Sequence, residues 1–282
     1  GGLWMIAVWL IPIVLVVLMV ATILLILANP LSAFTMEDDQ RMLIDLGMAT
    51  VFVAGALLAA FVATGVLTRE IENKTALTVI SKPVSRPLFV IGKFLGVGGA
   101  LLLCTAYLSF IFLLAEEHSV LQTVRDPIHL PVITFGTLAG VVGVGGAVLA
   151  NYFFDKVFAS TTIVFLTPLT GLAYLFSLMF GPDFRPQPIG INAKPDLWLG
   201  LICVAMAILV LTAIAIAISA RLGQVMTLSL TLGIFLLGLL SDTLIGRRIN
   251  ALQDIWLRRA EAAGHTTTET FTRTIELATG EV

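Results

Sequence analysis

The sequence predicts an all-α protein, a polytopic bundle of six or seven membrane-spanning helices. Three observations carry that reading. Apolar residues make up 58% of the 282-residue chain and charged residues only 12%. Its mean hydropathy is +1.03. Soluble domains hold roughly 45–50% apolar and about 25% charged residues, so a chain this apolar needs lipid to cover its surface. Finally, the apolar residues fall into runs of about 20, the length a helix needs to cross hydrocarbon.

The runs are taken in order. The first, residues 3–28, is too long for the apolar part of a signal peptide and no charged stretch precedes it. It reads as a true span whose natural start lies upstream. The next five are 47–68, 88–115, 131–153, 157–180 and 197–220, and a seventh and shorter run covers 224–240. Residues 1–241 thus form one membrane domain, and 242–282 form a polar tail. Pro12 and Pro168 fall inside spans, where they are expected to kink the helix.

Orientation follows the Lys and Arg residues that flank the spans. Arg69, Lys74, Lys82, Arg86 and Lys93 form the strongest basic cluster between any two spans, which places that segment in the cytoplasm. Alternation then puts the acidic segment 29–45, the segment 116–129 and the segment 181–196 outside, with Asp155–Lys156 inside. The tail opens on Arg247–Arg248, which does not suit an outside position. Either the seventh run is re-entrant or the chain ends before a final return helix; the second is the expectation adopted here.

Small residues let helices approach closely in lipid. Gly92 and Gly96 in the third run, and Gly136 and Gly140 in the fourth, are the expected helix-packing positions. Cys104 and Cys203 lie far apart inside apolar runs and read as small packing residues. His118 and His129, with Glu116 and Glu117, lack metal-ligand spacing and read as a solvated outside loop. No span holds Asp, Glu, Lys, Arg or His near its middle, which disfavours an ion-driven secondary carrier. The Ser, Thr and Tyr of the spans, Tyr107 and Tyr174 among them, are expected to bond back to their own helices or line helix contacts. Nothing in the net charge of −2 suggests a nucleic-acid partner.

The stretch Arg69–Gly96, REIENKTALTVISKPVSRPLFVIGKFLG, interrupts the apolar pattern most strongly. Residues 69–81 have helix-compatible composition, with Glu70 and Lys74 in the favourable i,i+4 order. Ile71, Leu77 and Ile80 can share one broad face, so the piece can lie along a membrane surface as an amphipathic helix. Pro83 ends it, and Ser85-Arg86-Pro87 is a signature of a helix start. Gly92–Lys93 is not a phosphate-cradling loop: Pro87 and Phe94 stand where a glycine and a Ser/Thr are required, and no strand precedes it.

These residues resemble the cytoplasmic loop of ABC-2 type transporter permeases, whose pattern runs E-x-x-x-x-T, then L-x-S-x-P-V-S-R, then G-K. The likeness is greatest to the branch of nitrous-oxide-reductase maturation and gliding-motility permeases. It covers Arg69–Gly96; elsewhere the likeness is one of hydropathy alone. The resemblance implies a coupling helix that docks on an ATPase subunit, with Glu70, Glu72, Lys74 and Thr75 in the helix and Ser81, Pro83, Ser85 and Arg86 in the turn. It further implies a non-enzymatic transport subunit of an exporter in a bacterial inner membrane. The chain would bind no cofactor itself. ATP would be used by a separate ATP-binding subunit, and a second permease subunit would complete the path. A membrane scaffold that binds a cytoplasmic partner through the same loop is the alternative, and a secondary carrier a weaker one. Neither the substrate nor homo- versus heterodimer pairing can be read from the residues.

Overall fold

The structure, a computed structural model, describes residues 2–33, 39–72, 86–120, 128–189, 192–219, 221–222, 224–241 and 255–256. Among these residues there are seven long helices and no sheet; the only strand-like feature is a bridge between Phe180 and Pro186. The helices are α1 (Gly2–Ser32), α2 (Asp39–Glu72), α3 (Arg86–Glu117), α4 (Leu130–Phe154), α5 (Phe158–Leu178), α6 (Pro195–Ser219) and α7 (Gln224–Ser241). Six contain apolar windows long enough to cross a bilayer: Pro12–Ser32, Asp39–Val62, Val90–Glu117, Leu130–Phe154, Phe158–Leu178 and Pro195–Ser219. The apolar stretch of α7, Val225–Ser241, is shorter. Residues 1–232 form one compact unit and residues 233–282 another, of which the end of α7 and residues 255–256 are described as helical.

Helix α1 runs past its expected end at Ala28 and continues through Pro30. Its last turn is held by Ser32 Oγ, which donates to the Ala28 carbonyl at 2.8 Å. Helix α2 starts eight residues before the expected Gly47. Asp39, Leu43, Gly47 and Val51 recur every four residues and are all buried, while the charges of Arg41 and Asp45 point outward. One face of that first turn and a half therefore packs like the rest of the helix, and Asp39 complements the positive end of its dipole.

Helix α3 is the central column. Of its spanning window 56% is buried, against 22% for those of α1 and α4. It packs on α1, α2, α4, α5 and α6, with Leu101, Leu108, Phe112 and Leu113 almost wholly enclosed. Glycines on its neighbours make room for its rings: Gly47 of α2 for Phe112, and Gly171 of α5 for Phe110. Helices α2 and α6 interlock where Gly55 receives Ile208 and Gly200 receives Met48.

A tight hairpin joins α4 to α5. Asp155 takes a left-handed backbone (φ 51°) and its N–H returns to the Ala150 carbonyl. Asn151 Nδ2 donates to the Lys156 carbonyl at 2.6 Å and fixes the turn. Helix α5 continues through Pro168 without a break. The connection from α5 to α6 folds back on itself through Gly181 N–H to Arg185 O (2.8 Å) and Gln187 N–H to Met179 O (2.9 Å). Phe135 of α4 anchors it, with ring centroids 5.7 Å from Phe176, 6.0 Å from Phe180 and 6.1 Å from Phe184.

The expected glycine contacts are distributed differently within the chain. A methyl group built on Gly92, Gly96 or Gly140 would meet no atom within 4 Å, and on Gly136 only Leu114 Cδ1 at 4.0 Å. The close approach of α4 to α5 instead falls on Gly143, where the added carbon would lie 2.5 Å from Leu166 Cδ2 and 3.4 Å from its Cα. Cys104 is buried as expected, whereas Cys203 faces outward from α6. The membrane-facing position of Cys203 follows from its place on the helix face that α2 and α3 leave uncovered.

Gly143→Ala is expected to cost about 1–3 kcal/mol through overpacking, because the Leu166 side chain, whose Cδ2 and Cγ would lie 2.5 and 3.1 Å from the added carbon, must leave its place. Gly140→Ala should be neutral or stabilising by up to about 1 kcal/mol through helix propensity. Paired unfolding measurements on the two variants in the same detergent test this contrast.

Candidate coupling segment and a buried polar cluster

The backbone of α2 runs unbroken through Arg69–Glu72, so Glu70 and Glu72 continue the second spanning column. Arg86 opens α3. Lys74, Thr75, Ser81, Pro83 and Ser85 lie outside the described residues, as does most of the polar tail 242–282. What the described residues fix is the attachment: the segment connects α2 to α3, the column that packs on five other helices. Leu88, Ile91 and Leu95 at the start of α3 are exposed and apolar, and Gly92, Gly96 and Gly99 lie among them with open space in front of each.

At the far end of α3 the chain builds a polar cluster. A helix C-terminus carries partial negative charge and disfavours carboxylates, yet α3 ends on Glu116 and Glu117, both buried. Compensation comes from three other parts of the chain. Lys194 Nζ, ahead of α6, bonds to Glu116 Oε1. Gln40 Nε2, at the start of α2, donates to the same oxygen at 2.8 Å. Asn192 Nδ2 donates to Glu117 Oε1 at 2.7 Å. From α1, Asn29 Nδ2 donates to the carbonyls of Ala115 (3.3 Å) and Ser119 (2.6 Å). The connections α1–α2, α3–α4 and α5–α6 are thereby drawn together at one end of the bundle.

The expectation of a solvated loop is corrected here. His129 is only 5% exposed and sits with Glu117 at 3.7 Å between Nε2 and Oε1. Neither ring nitrogen of His129 has a hydrogen-bond partner, nor has Nδ1 of His118. Burial holds both imidazoles below their ordinary range, and at His129 repulsion from His118 adds to it. Sequence distance hid this arrangement, because Gln40, Asn192 and Lys194 lie more than 70 residues from the carboxylates they serve. One local signal was present: two acids in succession ending an apolar helix, where the dipole opposes them. No group of three or more His, Cys, Asp or Glu among the described residues could hold a metal ion.

Residues 28–153 match the family described as ABC-2 membrane transporter related. That stretch is similar to the membrane domain of ABC-2 type transporters. It runs from the end of α1 to the end of α4, and so contains the whole segment 69–96 as well as Glu116, Glu117 and His129. Comparison with curated proteins and with solved structures returned no match. With six apolar helices of spanning length, the chain is a multi-pass membrane protein.

Lys194→Met removes the cation paired with buried Glu116 and leaves Gln40 as its one described donor. Because the Lys194 side chain is itself about half exposed (48%), the loss is expected at the lower end for a broken buried pair, about 1–3 kcal/mol. Glu116→Gln in the Lys194→Met background should recover part of it. A double-mutant cycle by denaturant or thermal unfolding in detergent checks both.

Proposed function

We propose that this chain is a permease, the membrane subunit of an ATP-driven exporter, moved by a separate ATPase subunit that docks on residues 69–86. The reading rests on one observation: the segment that resembles a coupling helix lies inside the matched ABC-2 stretch and joins α2 directly to the central column α3. A displacement imposed there enters the helix with the most neighbours, and a rigid helix passes it on where a flexible loop would absorb it. In this reading Glu70, Glu72, Lys74 and Thr75 contact the ATPase, and Ser81, Pro83, Ser85 and Arg86 set the turn into α3. ATP is bound and hydrolysed by the partner, and this chain performs no catalysis. The cytoplasmic side of residues 69–86 follows from their basic cluster, in keeping with a bacterial inner membrane.

The open face at Gly92, Gly96 and Gly99 supports a second permease subunit as the neighbour. Their outward side meets no atom of this chain, and small residues serve close helix contact in lipid. Gly96→Leu is expected to leave the unfolding midpoint of the monomer unchanged while lowering the dimer fraction about tenfold, read by single-molecule photobleaching in dilute vesicles.

Glu72→Arg and Arg86→Glu are each expected to weaken retention of the ATPase on co-purification by about tenfold, since a reversed charge meets a like one across the interface. ATP-dependent movement of substrate in proteoliposomes then distinguishes an exporter from a scaffold that holds the ATPase without transport. Full retention by both reversals removes the coupling assignment.

A further inference from the structure

Three aromatic rings in succession end α4, and the chain takes up none of them. Tyr152, Phe153 and Phe154 are 80%, 68% and 72% exposed, although three neighbouring residues of a helix point to three different sides. Rings so placed at a helix end belong at the boundary between hydrocarbon and headgroups. The hairpin that follows is tied at both faces of one peptide position. The Lys156 N–H bonds to the Ala150 carbonyl at 3.4 Å, and the Lys156 carbonyl accepts from Asn151 Nδ2 at 2.6 Å. By alternation of the helices, this hairpin lies on the same side of the membrane as Arg86, where α3 starts.

Beside the hairpin lies an open cleft of about 360 Å³. Its walls are apolar, Ala150 and Phe154 of α4 facing Val164 and Phe165 of α5. Lys156 stands at its hairpin end, with Ser160 and Thr161 one turn into α5. Both hydroxyls donate to the Val157 carbonyl, at 3.1 and 2.9 Å, so the ammonium is the one charged donor of the cleft. Among the described residues no acid pairs with Lys156. Asp155, its neighbour in the chain, takes the left-handed turn position and does not line the cleft.

We propose that this cleft holds one anionic phospholipid, with its phosphate at Lys156 and a fatty-acyl chain along Phe154, Val164 and Phe165. The two ends of the site match the two ends of such a molecule. A free phosphate would meet a single exposed cation, an interaction worth little in water. A lipid brings its phosphate already concentrated at the depth of the headgroups, where the exposed rings hold the hairpin. Its tail gains packing against α4 and α5 but no hydrophobic transfer, because the surrounding lipid is as apolar as the cleft. Selection among lipids therefore rests on charge. An ammonium without a carboxylate partner favours a headgroup of net negative charge over one that carries its own cation. This inference is independent of any ATPase partner.

Phe154→Trp in the full chain sets an indole beside the cleft, where a phospholipid brominated on its acyl chain quenches it on contact. The measurement uses vesicles of phosphatidylglycerol and phosphatidylcholine in equal amounts, with one or the other brominated. The wild type, read in parallel, removes the signal of the native tryptophans. Phosphatidylglycerol is expected to occupy the cleft about fivefold in preference, the weight of one basic residue at an anionic surface. Lys156→Met in the same background should bring the ratio to about one, and Lys156→Arg should keep it. Val164→Phe, which fills the cleft and leaves the charge unchanged, should also abolish the preference. Equal quenching by the two lipids overturns the proposal, and so does a preference that survives Lys156→Met. A preference that survives Val164→Phe reflects surface charge alone, and one that inorganic phosphate removes at constant ionic strength reflects a site for free anions; either result overturns it. Exclusion of both lipids from the added ring places a second chain over the cleft and overturns it as well.

Discussion

A peptide group inside hydrocarbon has no water to bond, and that constraint organises this chain. It confines the spanning segments to helices, and it extends to their side chains. Thr105 donates to the Leu101 carbonyl at 2.8 Å, Thr170 to Leu166 at 2.8 Å and Thr212 to Ile208 at 2.7 Å, each within its own helix. Tyr107 finds Thr22 across the α1–α3 contact at 3.2 Å. With these groups satisfied locally, helix association is left to shape: rings and branched side chains of one helix enter positions that Gly47, Gly55, Gly143 and Gly171 keep open on another. Polar ties between different parts of the chain concentrate where the helices leave the apolar layer, and the largest group of them surrounds Glu116 and Glu117.

That division explains why the two kinds of contact differ in consequence. Apolar packing along α3 is non-directional and spread over Leu101, Leu108, Phe112 and their neighbours, and it is held in register where Phe112 and Phe110 enter the notches at Gly47 and Gly171. The bonds to Glu116 and Glu117 are directional and short in reach. Each is worth on the order of 1 kcal/mol net in ordinary settings and more where a charge is involved. A buried carboxylate cannot simply let go of its donor, because the uncompensated group is the costlier state. Gln40 and Lys194 both engage one oxygen of Glu116, and Asn192 engages Glu117, so each buried acid keeps a donor from a different part of the chain.

Much of the fold was legible because apolar run length reports directly on membrane thickness. The six long runs and the shorter seventh correspond to helices. The start of α2 was not legible, because Arg41 and Asp45 lower the local hydropathy although they occupy the face opposite Leu43. Glycine spacing announced that helices pack closely but not on which side. Gly140 and Gly143 look alike in sequence and lie about 60° apart around the helix, yet an added carbon meets Leu166 only at the second. The polar cluster was least legible. Its acids were visible, but their donors come from segments joined only by the fold, and a loop judged by its composition alone looks solvated.

Helix α3 brings the two regions of interest onto one body. Its 32 residues, Arg86–Glu117, extend about 48 Å at the usual rise per residue, from the end of the segment proposed to receive the ATPase to the carboxylates of the polar cluster. No proline interrupts it after Pro87. A push at the Arg86 end would then arrive at the Glu116 end as a displacement of the same body rather than as a chain of side-chain adjustments. The contacts along the way are largely apolar, with Thr22 reaching Tyr107 and Thr167 reaching the Leu103 carbonyl, whereas those at the far end are directional bonds to buried acids. In the proposed cycle the polar cluster is thus the end of the column where a displacement of α3 would be opposed most sharply by bonded geometry.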